Sequence, residues 1–343
     1  MRVYYAPETA DHAPSFFMVR GRVVANEERE ERAEQLLTAV ARLGVAPRTP
    51  PAGDNATILR VHTPRYLAFL ESAHTAWQAL PDAGPEVIAN VQPRDAAARY
   101  PKSAVGRTGW HMGDLACPIG PDTFVAARRA ADCALAAVAA TAEGVGSAYA
   151  LTRPPGHHAG PEVAAGHCFL NNAAIAAQAL VDQGARPAIL DIDVHHGNGT
   201  QAIFYDRADV LTVSIHTDPA QFYPWFVGHS DEHGSGTGEG FNRNIPLPLG
   251  AADAVWHGAV EAGLGAVKEF GADALVLALG LDVHISDPLG GMAVSTEGIA
   301  RAGAMIGATA LPIVVTQEGG YLSSDLTDNA EAFLHAFFDA RPL

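Results

Sequence analysis

The chain has 343 residues, of which 48% are hydrophobic and 17% are charged, and its formal net charge is −16. This composition favours a globular protein with a large core and excludes an intrinsically disordered chain. An acidic surface argues against binding to nucleic acid, which needs basic patches. No apolar run is long enough to predict a membrane span. The negative charge is compatible with small cationic partners.

The cysteine content and the first residues bear on the cellular compartment. Cys117, Cys133 and Cys168 are widely spaced and odd in number, so no disulfide framework is predicted. The first residues lack the apolar core of a signal peptide. We therefore expect a cytoplasmic protein.

In chain order, short apolar segments alternate with amphipathic or alanine-rich segments. Strands are predicted near Val3–Tyr5, Ile58–Val61, Ser147–Leu151, Ala188–Asp191, Val210–Ile215, Asn244–Leu247, Ala274–Leu279 and Ile313–Thr316. Helices are predicted near Glu27–Arg42, Pro64–Ala79, Asp122–Ala142, Asn171–Gln183, Ala252–Phe270, Thr296–Ala308 and Asp328–Phe338. Continuously apolar strands indicate a parallel sheet covered on both faces. We predict one α/β domain over residues 1–343, with an open, mostly parallel, eight-stranded sheet and helices on both faces.

Two segments break this alternation. Residues 81–120 are rich in Pro, Gly and polar side chains, and residues 217–241 contain a cluster of glycines. Long loops in a compact domain are often functional or interfacial. We therefore interpret residues 81–120 as an insertion.

The sequence AILDIDVHHG places acidic and histidine side chains directly after an apolar strand. Asp191, Asp193 and His195 alternate, so they share one face at the strand's C-terminal end, where α/β sheets bind ligands. Asp282 follows the apolar strand ALVLAL. Asp193, His195 and Asp282 are predicted to hold one catalytic zinc ion and to leave a fourth position open. The same set suits Fe(II), Co(II) or Mn(II). Alternatively, these aspartates are turn or helix-capping residues.

Two further motifs follow apolar strands. In RPPGHHAG, one of His157 and His158 can act as a base while the other stays charged and stabilises a transition state. Asp191 and Asn198 are candidate partners for the second ring nitrogens. In QEGGYL, the Tyr321 phenol can hydrogen-bond a developing oxyanion. The alternatives are a surface histidine pair and a packing tyrosine.

Together, RPPGHHA, LDIDVHHGNGT, GLDVHISDP and EGGY resemble the histone deacetylase superfamily, in the same order along the chain. The resemblance implies the arginase–deacetylase fold and zinc-dependent hydrolysis of N-acetyl amides. The length and the insertion at about 81–120 are similar to bacterial acetylpolyamine amidohydrolases. That likeness implies a small cationic acetylated amine as substrate and a homodimer.

The resemblance also implies roles for individual residues. The zinc ligands are Asp193, His195 and Asp282. His158 is the general base and acid, with Asn198 as its partner. His157 is the electrostatic histidine, paired with Asp191. Tyr321 lies at the scissile carbonyl. The substrate-binding positions are Gly166, whose carbonyl receives the amide N–H, His167 and Tyr223, which flank the acyl channel, and Leu289. Asp191 and Ser214 contribute to an inner potassium site, and Arg32 lies behind the zinc.

Four positions depart from the family pattern. His167 replaces the usual Phe or Tyr, and Asn198 stands where many members have Asp. Ala116 stands where a rim carboxylate is common, with Asp114 as a nearby candidate replacement. Leu289 stands where a specialised polyamine deacetylase has Glu.

Acetylputrescine, acetylspermidine and acetylcadaverine are the substrates that the sequence favours, with release of acetate and free amine. The main alternative is a deacetylase acting on acetyl-lysine in proteins or on other small acylated amines. An arginase-like ureohydrolase with two manganese ions and a catalytically inactive binder of acetylated ligands are the remaining alternatives.

Overall fold

The computed structural model describes residues 2–95 and 97–341. The remaining positions of the predicted domain, residues 1, 96, 342 and 343, lie outside the described residues. Nine strands are present in this part of the chain: β1 (Arg2–Tyr4), β2 (Phe16–Val19), β3 (Arg22–Ala25), β4 (Ser147–Ala150), β5 (Pro187–Asp191), β6 (Leu211–Thr217), β7 (Asn242–Leu247), β8 (Ala274–Leu279) and β9 (Ile313–Gln317).

Seven of these strands form one parallel sheet in the order β1-β4-β9-β8-β5-β6-β7. Strands β2 and β3 form a separate antiparallel hairpin. The predicted α/β sheet is confirmed, but the predicted number of eight strands is wrong for the described residues.

Ten α-helices connect the strands within the same residues. They are α1 (Glu30–Arg42), α2 (Ile58–Val61), α3 (Pro64–Gln78), α4 (Ala104–His111), α5 (Thr123–Ala140), α6 (Asn172–Asp182), α7 (Asn198–Phe204), α8 (Asp253–Phe270), α9 (Thr296–Gly307) and α10 (Leu326–Asp339). The seven predicted helices are present to within three residues at each end, whereas α2, α4 and α7 were not predicted.

The sheet separates two hydrophobic cores, because side chains alternate between the faces of a strand. In β8, Ala274, Val276 and Ala278 pack with α3, α5 and α6 on one face. Leu275, Leu277 and Leu279 pack with α1, α8, α9 and α10 on the other face. All six side chains are buried, which explains the continuously apolar sequence of this strand.

The predicted strand at Ile58–Val61 is the helical turn α2. Ile58 and Val61 are buried, whereas Leu59 and Arg60 between them are exposed. A spacing of three residues between buried positions fits one face of a helix, and not the alternation of a strand. Because this segment is a helix and the other seven predicted strands are present, the sheet has seven strands.

The hairpin of β2 and β3 was also not predicted. Its two turn residues, Arg20 and Gly21, both have positive φ angles, 50° and 74°. Asn-Gly or Asp-Gly is the usual signal for such a turn, and Arg-Gly lacks it. Phe17 of this hairpin packs edge-on against His167, with 5.4 Å between ring centroids, so the hairpin reaches the region of the predicted site.

Candidate active site

Four neighbouring strands, β4, β9, β8 and β5, end at one edge of the sheet. Each is followed directly by one of the motifs found in the sequence: RPPGHH after β4, EGGY after β9, GLD after β8 and DVHH after β5. Because the strands are parallel, their C-terminal ends bring these four segments together.

Asp193, His195 and Asp282 converge at this edge. One ligand atom from each lies within 4.8 Å of the others. The Nδ1 atom of His195 is 3.2 Å from both Asp193 Oδ1 and Asp282 Oδ2. Backbone amides fix the carboxylates, since Gly319 donates to Asp193 Oδ2 at 2.7 Å and Val194 donates to Asp282 Oδ1 at 3.1 Å.

Three features of this cluster fit a divalent cation. Asp282 Oδ2 is buried, and although His195 Nδ1 lies 3.2 Å away, this oxygen accepts no well-aligned hydrogen bond from the described residues. Burial and the charge of Asp193 raise the pKa of Asp282 to about 7, so two adjacent carboxylates are electrostatically unfavourable without a cation. A Cβ atom at Gly319 would overlap both carboxylates, so glycine keeps the space around them free.

His157 is held in a charged environment. Its Nδ1 donates to Asp191 Oδ2 at 2.9 Å. Burial alone would lower the pKa of His157, but Asp193 and Asp191 outweigh it and raise the pKa to about 10. The buried carboxylate of Glu318 accepts from the backbone N–H groups of Gly156 at 2.6 Å and His157 at 3.0 Å, so it fixes the loop that carries the histidine.

His158 lies in a different electrostatic environment. Its Nδ1 donates to the amide oxygen of Asn198 at 2.6 Å. Burial, followed by the charges of His157 and His195, holds the pKa of His158 well below its usual value. The ring is therefore neutral near pH 7, and the Nδ1 hydrogen bond leaves Nε2 as the nitrogen that can accept a proton.

Tyr321 is buried beside the predicted metal ligands. Its backbone N–H donates to Asp287 Oδ2 at 2.7 Å, and the guanidinium of Arg32 lies 5.2 Å from its ring centroid. Burial raises the pKa of Tyr321 well above its usual value. The hydroxyl group therefore remains protonated and can donate a hydrogen bond.

A buried ion network connects two of the site loops. Glu28 lies between two arginines, 2.8 Å from Arg32 and 2.8 Å from Arg153. Arg32 donates to the backbone carbonyls of Glu318 and, at 2.5 Å, Gly320. Arg153 is the first residue of RPPGHH, so Glu28 links that motif to EGGY. Arg32 was predicted from the sequence, whereas Glu28, four residues before it and just outside α1, was not.

The predicted channel residues lie around His157, His158 and Tyr321. Gly166 and His167 both have positive φ angles, 51° and 67°, and a Cβ at Gly166 would overlap the ring of His158. Tyr223 meets His158 edge-on at 4.9 Å between ring centroids, and His167 lies 5.8 Å from Tyr321. Phe222, which the sequence analysis missed, stacks on His195 at 5.1 Å.

Three other predicted positions lie at the periphery of the site. Asp114 contacts Gly166 and Tyr223. Leu289 is half-buried, and its N–H donates to Asp287, the partner of Tyr321. Ser214 lies 2.9 Å from His216 and 3.2 Å from His196, beside a cavity of about 10 Å³ that Asp191 also lines. The structure thus brings the predicted residues together, and their chemical roles stay predictions.

Residues 26–337 match the model of the histone deacetylase domain. The chain therefore belongs to the histone deacetylase family, and it is an amidohydrolase of the deacetylase type. It is 45% identical to acetylpolyamine amidohydrolase of Burkholderia pseudomallei (strain 1710b), over 98% of each chain. It is 38% identical to acetylpolyamine amidohydrolase of Mycoplana ramosa, over 94% of this chain and 95% of that protein.

Solved structures show the same similarity. The crystal structure of acetylpolyamine aminohydrolase from Burkholderia pseudomallei matches 100% of both chains, with a TM-score of 0.96 and 45% identity. The HDA15 HD domain gives a TM-score of 0.81 at 29% identity, covering 100% of this chain and 90% of that one. The family and fold expected from the four motifs are confirmed. Among the described residues, no helix has the length and apolar character needed to cross a membrane.

Proposed function

We propose that this protein is a zinc-dependent acetylpolyamine amidohydrolase. It hydrolyses the N-acetyl amide of acetylputrescine, acetylspermidine or acetylcadaverine and releases acetate and the free amine. The observation that carries this proposal is the convergence of Asp193, His195 and Asp282 beside the His157–His158 pair. The names of the relatives from Burkholderia pseudomallei and Mycoplana ramosa support the substrate class.

Asp193, His195 and Asp282 would hold the metal ion. Three protein ligands of nitrogen and oxygen suit catalytic zinc, and Fe(II), Co(II) or Mn(II) would also fit this set. When bound, the metal supplies Lewis-acid polarisation of the amide carbonyl and lowers the pKa of water.

The neutral imidazole of His158 acts as the general base. It takes a proton from the attacking water through Nε2, while Asn198 holds Nδ1. The protonated His158 then delivers this proton to the departing amine. The overall balance is one amide and one water converted to one carboxylic acid and one amine.

His157 and Tyr321 stabilise the negative charge that develops on the carbonyl oxygen. His157 stays protonated because Asp191 and Asp193 raise its pKa. Tyr321 keeps its proton and donates it in a hydrogen bond. The carbonyl of Gly166 receives the substrate N–H, and His167 and Tyr223 flank the acyl chain.

A substrate panel on the zinc-loaded protein tests the proposal. We expect kcat/KM for acetylputrescine to exceed that for an acetyl-lysine peptide, and a hydroxamate, which chelates zinc, to abolish both activities. A preference for the peptide would favour the protein deacetylase alternative. Two manganese ions per chain, in place of one zinc, would favour an arginase-like enzyme. Intact zinc without turnover would favour an inactive binder.

We further propose that residues 81–120 are an insertion that forms a homodimer interface. A second proposal is that a potassium ion binds near Asp191 and Ser214. The insertion packs close to the channel, since Gly113 donates to Ala164 at 2.8 Å. Sedimentation of the wild-type protein over a range of concentrations tests the dimer. Dependence of thermal stability on potassium, with sodium as the control, tests the ion.

A further inference from the structure

Asp114 lies where two walls of the channel meet. Its Oδ2 atom accepts hydrogen bonds from the Tyr223 hydroxyl at 2.6 Å and from the Gly166 N–H at 2.9 Å. Its Oδ1 atom accepts from the Ala116 N–H at 2.9 Å. One carboxylate therefore joins the two sides of the channel and is fixed in a single orientation.

Backbone contacts hold Asp114 in this place. Gly113 donates to Ala164 O, and Ala164 donates to His111 O, both at 2.8 Å. On the other side, the N–H of Met18 in the hairpin donates to Leu115 O at 3.2 Å. Because both neighbours of Asp114 are bonded to separate parts of the fold, the carboxylate cannot leave the channel without breaking these contacts.

The charge of Asp114 has no cationic partner nearby. Across residues 2–95 and 97–341, the ion pairs of Lys and Arg side chains do not include it. Its donors are a neutral phenol, two backbone amides and, at 3.6 Å, the thiol of Cys117, which orient the carboxylate without cancelling its charge. Asp114 is half-buried, so water and salt screen this charge less than they would on an open surface.

We propose that Asp114 determines specificity, by selecting substrates whose chain carries a positive charge beyond the acetamide group. This inference rests on the proposed amide hydrolysis and assigns a residue to its preference for amines. Tyr223 and Gly166 position the carboxylate, and the charge itself discriminates. A neutral alkyl chain of the same length fits the same walls but gains nothing from the carboxylate.

The test compares N-(4-aminobutyl)acetamide with N-pentylacetamide, in which a methyl group replaces the ammonium. The zinc-loaded wild type should favour the cationic substrate in kcat/KM. Asp114→Asn should reduce this preference about tenfold, as expected for loss of one partly screened charge pair. Asp114→Glu, which keeps the charge, should retain most of the preference, and Tyr223→Phe should retain it even where both rates fall.

Asp218→Asn is the matched control, because Asp218 is also half-buried and its carboxylate accepts from a backbone N–H, that of Ala220 at 2.9 Å. It changes the net charge by the same amount and should leave the preference unaltered.

If Asp114→Asn lowered kcat/KM for both substrates by the same factor, the inference would be overturned. A purely structural role predicts that the ratio of the two kcat/KM values stays unchanged. A wild type that hydrolyses both substrates equally would also overturn it and leave amide hydrolysis standing. A wild type that hydrolyses neither would overturn the proposed function together with this inference.

Discussion

The rings of His157 and His158 lie 4.0 Å apart between centroids, yet their surroundings move their pKa values in opposite directions. His157 faces the carboxylate of Asp191, whereas His158 faces the neutral amide of Asn198. The charge on the first also disfavours a second charge on its neighbour. Two adjacent residues of the same type can therefore serve as an electrostatic group and as a base.

Asn198 should control both the orientation and the basicity of His158. Asn198→Ala removes a 2.6 Å hydrogen bond, and we expect kcat to fall about 10–100-fold because the ring is no longer fixed. Asn198→Asp places a carboxylate beside the ring and raises the pKa of His158, so the acidic limb of kcat/KM should move to higher pH. Profiles of kcat/KM against pH measure both effects. An unmoved limb in Asn198→Asp would contradict this electrostatic assignment.

Tyr321→Phe tests stabilisation of the oxyanion. The buried hydroxyl would be lost while the ring and its contact with Arg32 remain. We expect kcat to fall by about 10²–10³-fold, the usual effect of losing one oxyanion donor. Zinc content should stay at the wild-type level, as measured by atomic emission. Near-normal turnover would remove Tyr321 from the mechanism.

Asp282→Asn tests the metal site through stability as well as activity. The variant should bind little zinc, and a chelator should lower its melting temperature less than it lowers that of the wild type. Without metal, the variant should be at least as stable as the wild type, because the repulsion between Asp193 and Asp282 is gone.

Asp273→Asn is the control for this substitution, because Asp273 lies just before the other end of β8 and caps the N–H of Arg186 at 2.7 Å. It should bind zinc like the wild type. Equal zinc content in Asp282→Asn and Asp273→Asn would exclude Asp282 as a ligand.

His62 should make stability depend on pH. Its Nδ1 donates to Gly160 O at 2.9 Å, and its Nε2 accepts from Asn171 N–H at 2.9 Å, so the buried ring is neutral. Burial lowers the pKa of His62 in the folded state to about 4, whereas the unfolded value is about 6.5. The unfolded state therefore binds the proton first, and stability is lost as the pH falls below about 6.5.

This loss can be isolated with His62→Gln, which lacks the titrating ring. Between pH 7 and pH 4, the unfolding free energy of the wild type should fall by about 3 kcal/mol more than that of His62→Gln. Urea unfolding at both pH values provides the measurement. A difference that does not change with pH would contradict the prediction.

The convergence of Asp193, His195 and Asp282 was predictable because their chemistry and their spacing agree. Asp193 and His195 alternate after an apolar strand, and Asp282 follows a second strand, which the structure places next to the first. The local sequence pattern is enough to find such residues, because the C-terminal ends of parallel strands lie at the same edge of a sheet. The helices with long amphipathic patterns, such as α8, were predictable for a similar reason.

The contacts of Asp114 could not be predicted in this way. Tyr223 and Gly166 lie 109 and 52 residues further along the chain, and no periodic pattern connects them to Asp114. The turn α2 was mistaken for a strand because four residues are too few to distinguish a period of two from one near four. Contacts between distant residues and the type of short elements therefore became known only from the structure.

Gly319, Gly280 and Gly197 line the base of the candidate site, and at each of them a Cβ atom would overlap a site carboxylate. A side chain at Gly319 or Gly280 would displace a predicted metal ligand, and one at Gly197 would displace Asp191, the partner of His157. Variation in substrate range is then left to the loops that carry the channel residues, such as the one after Tyr223, in which Trp225 and Phe226 are exposed. Libraries that seek new amine substrates should therefore randomise these loops and leave the glycine base unchanged.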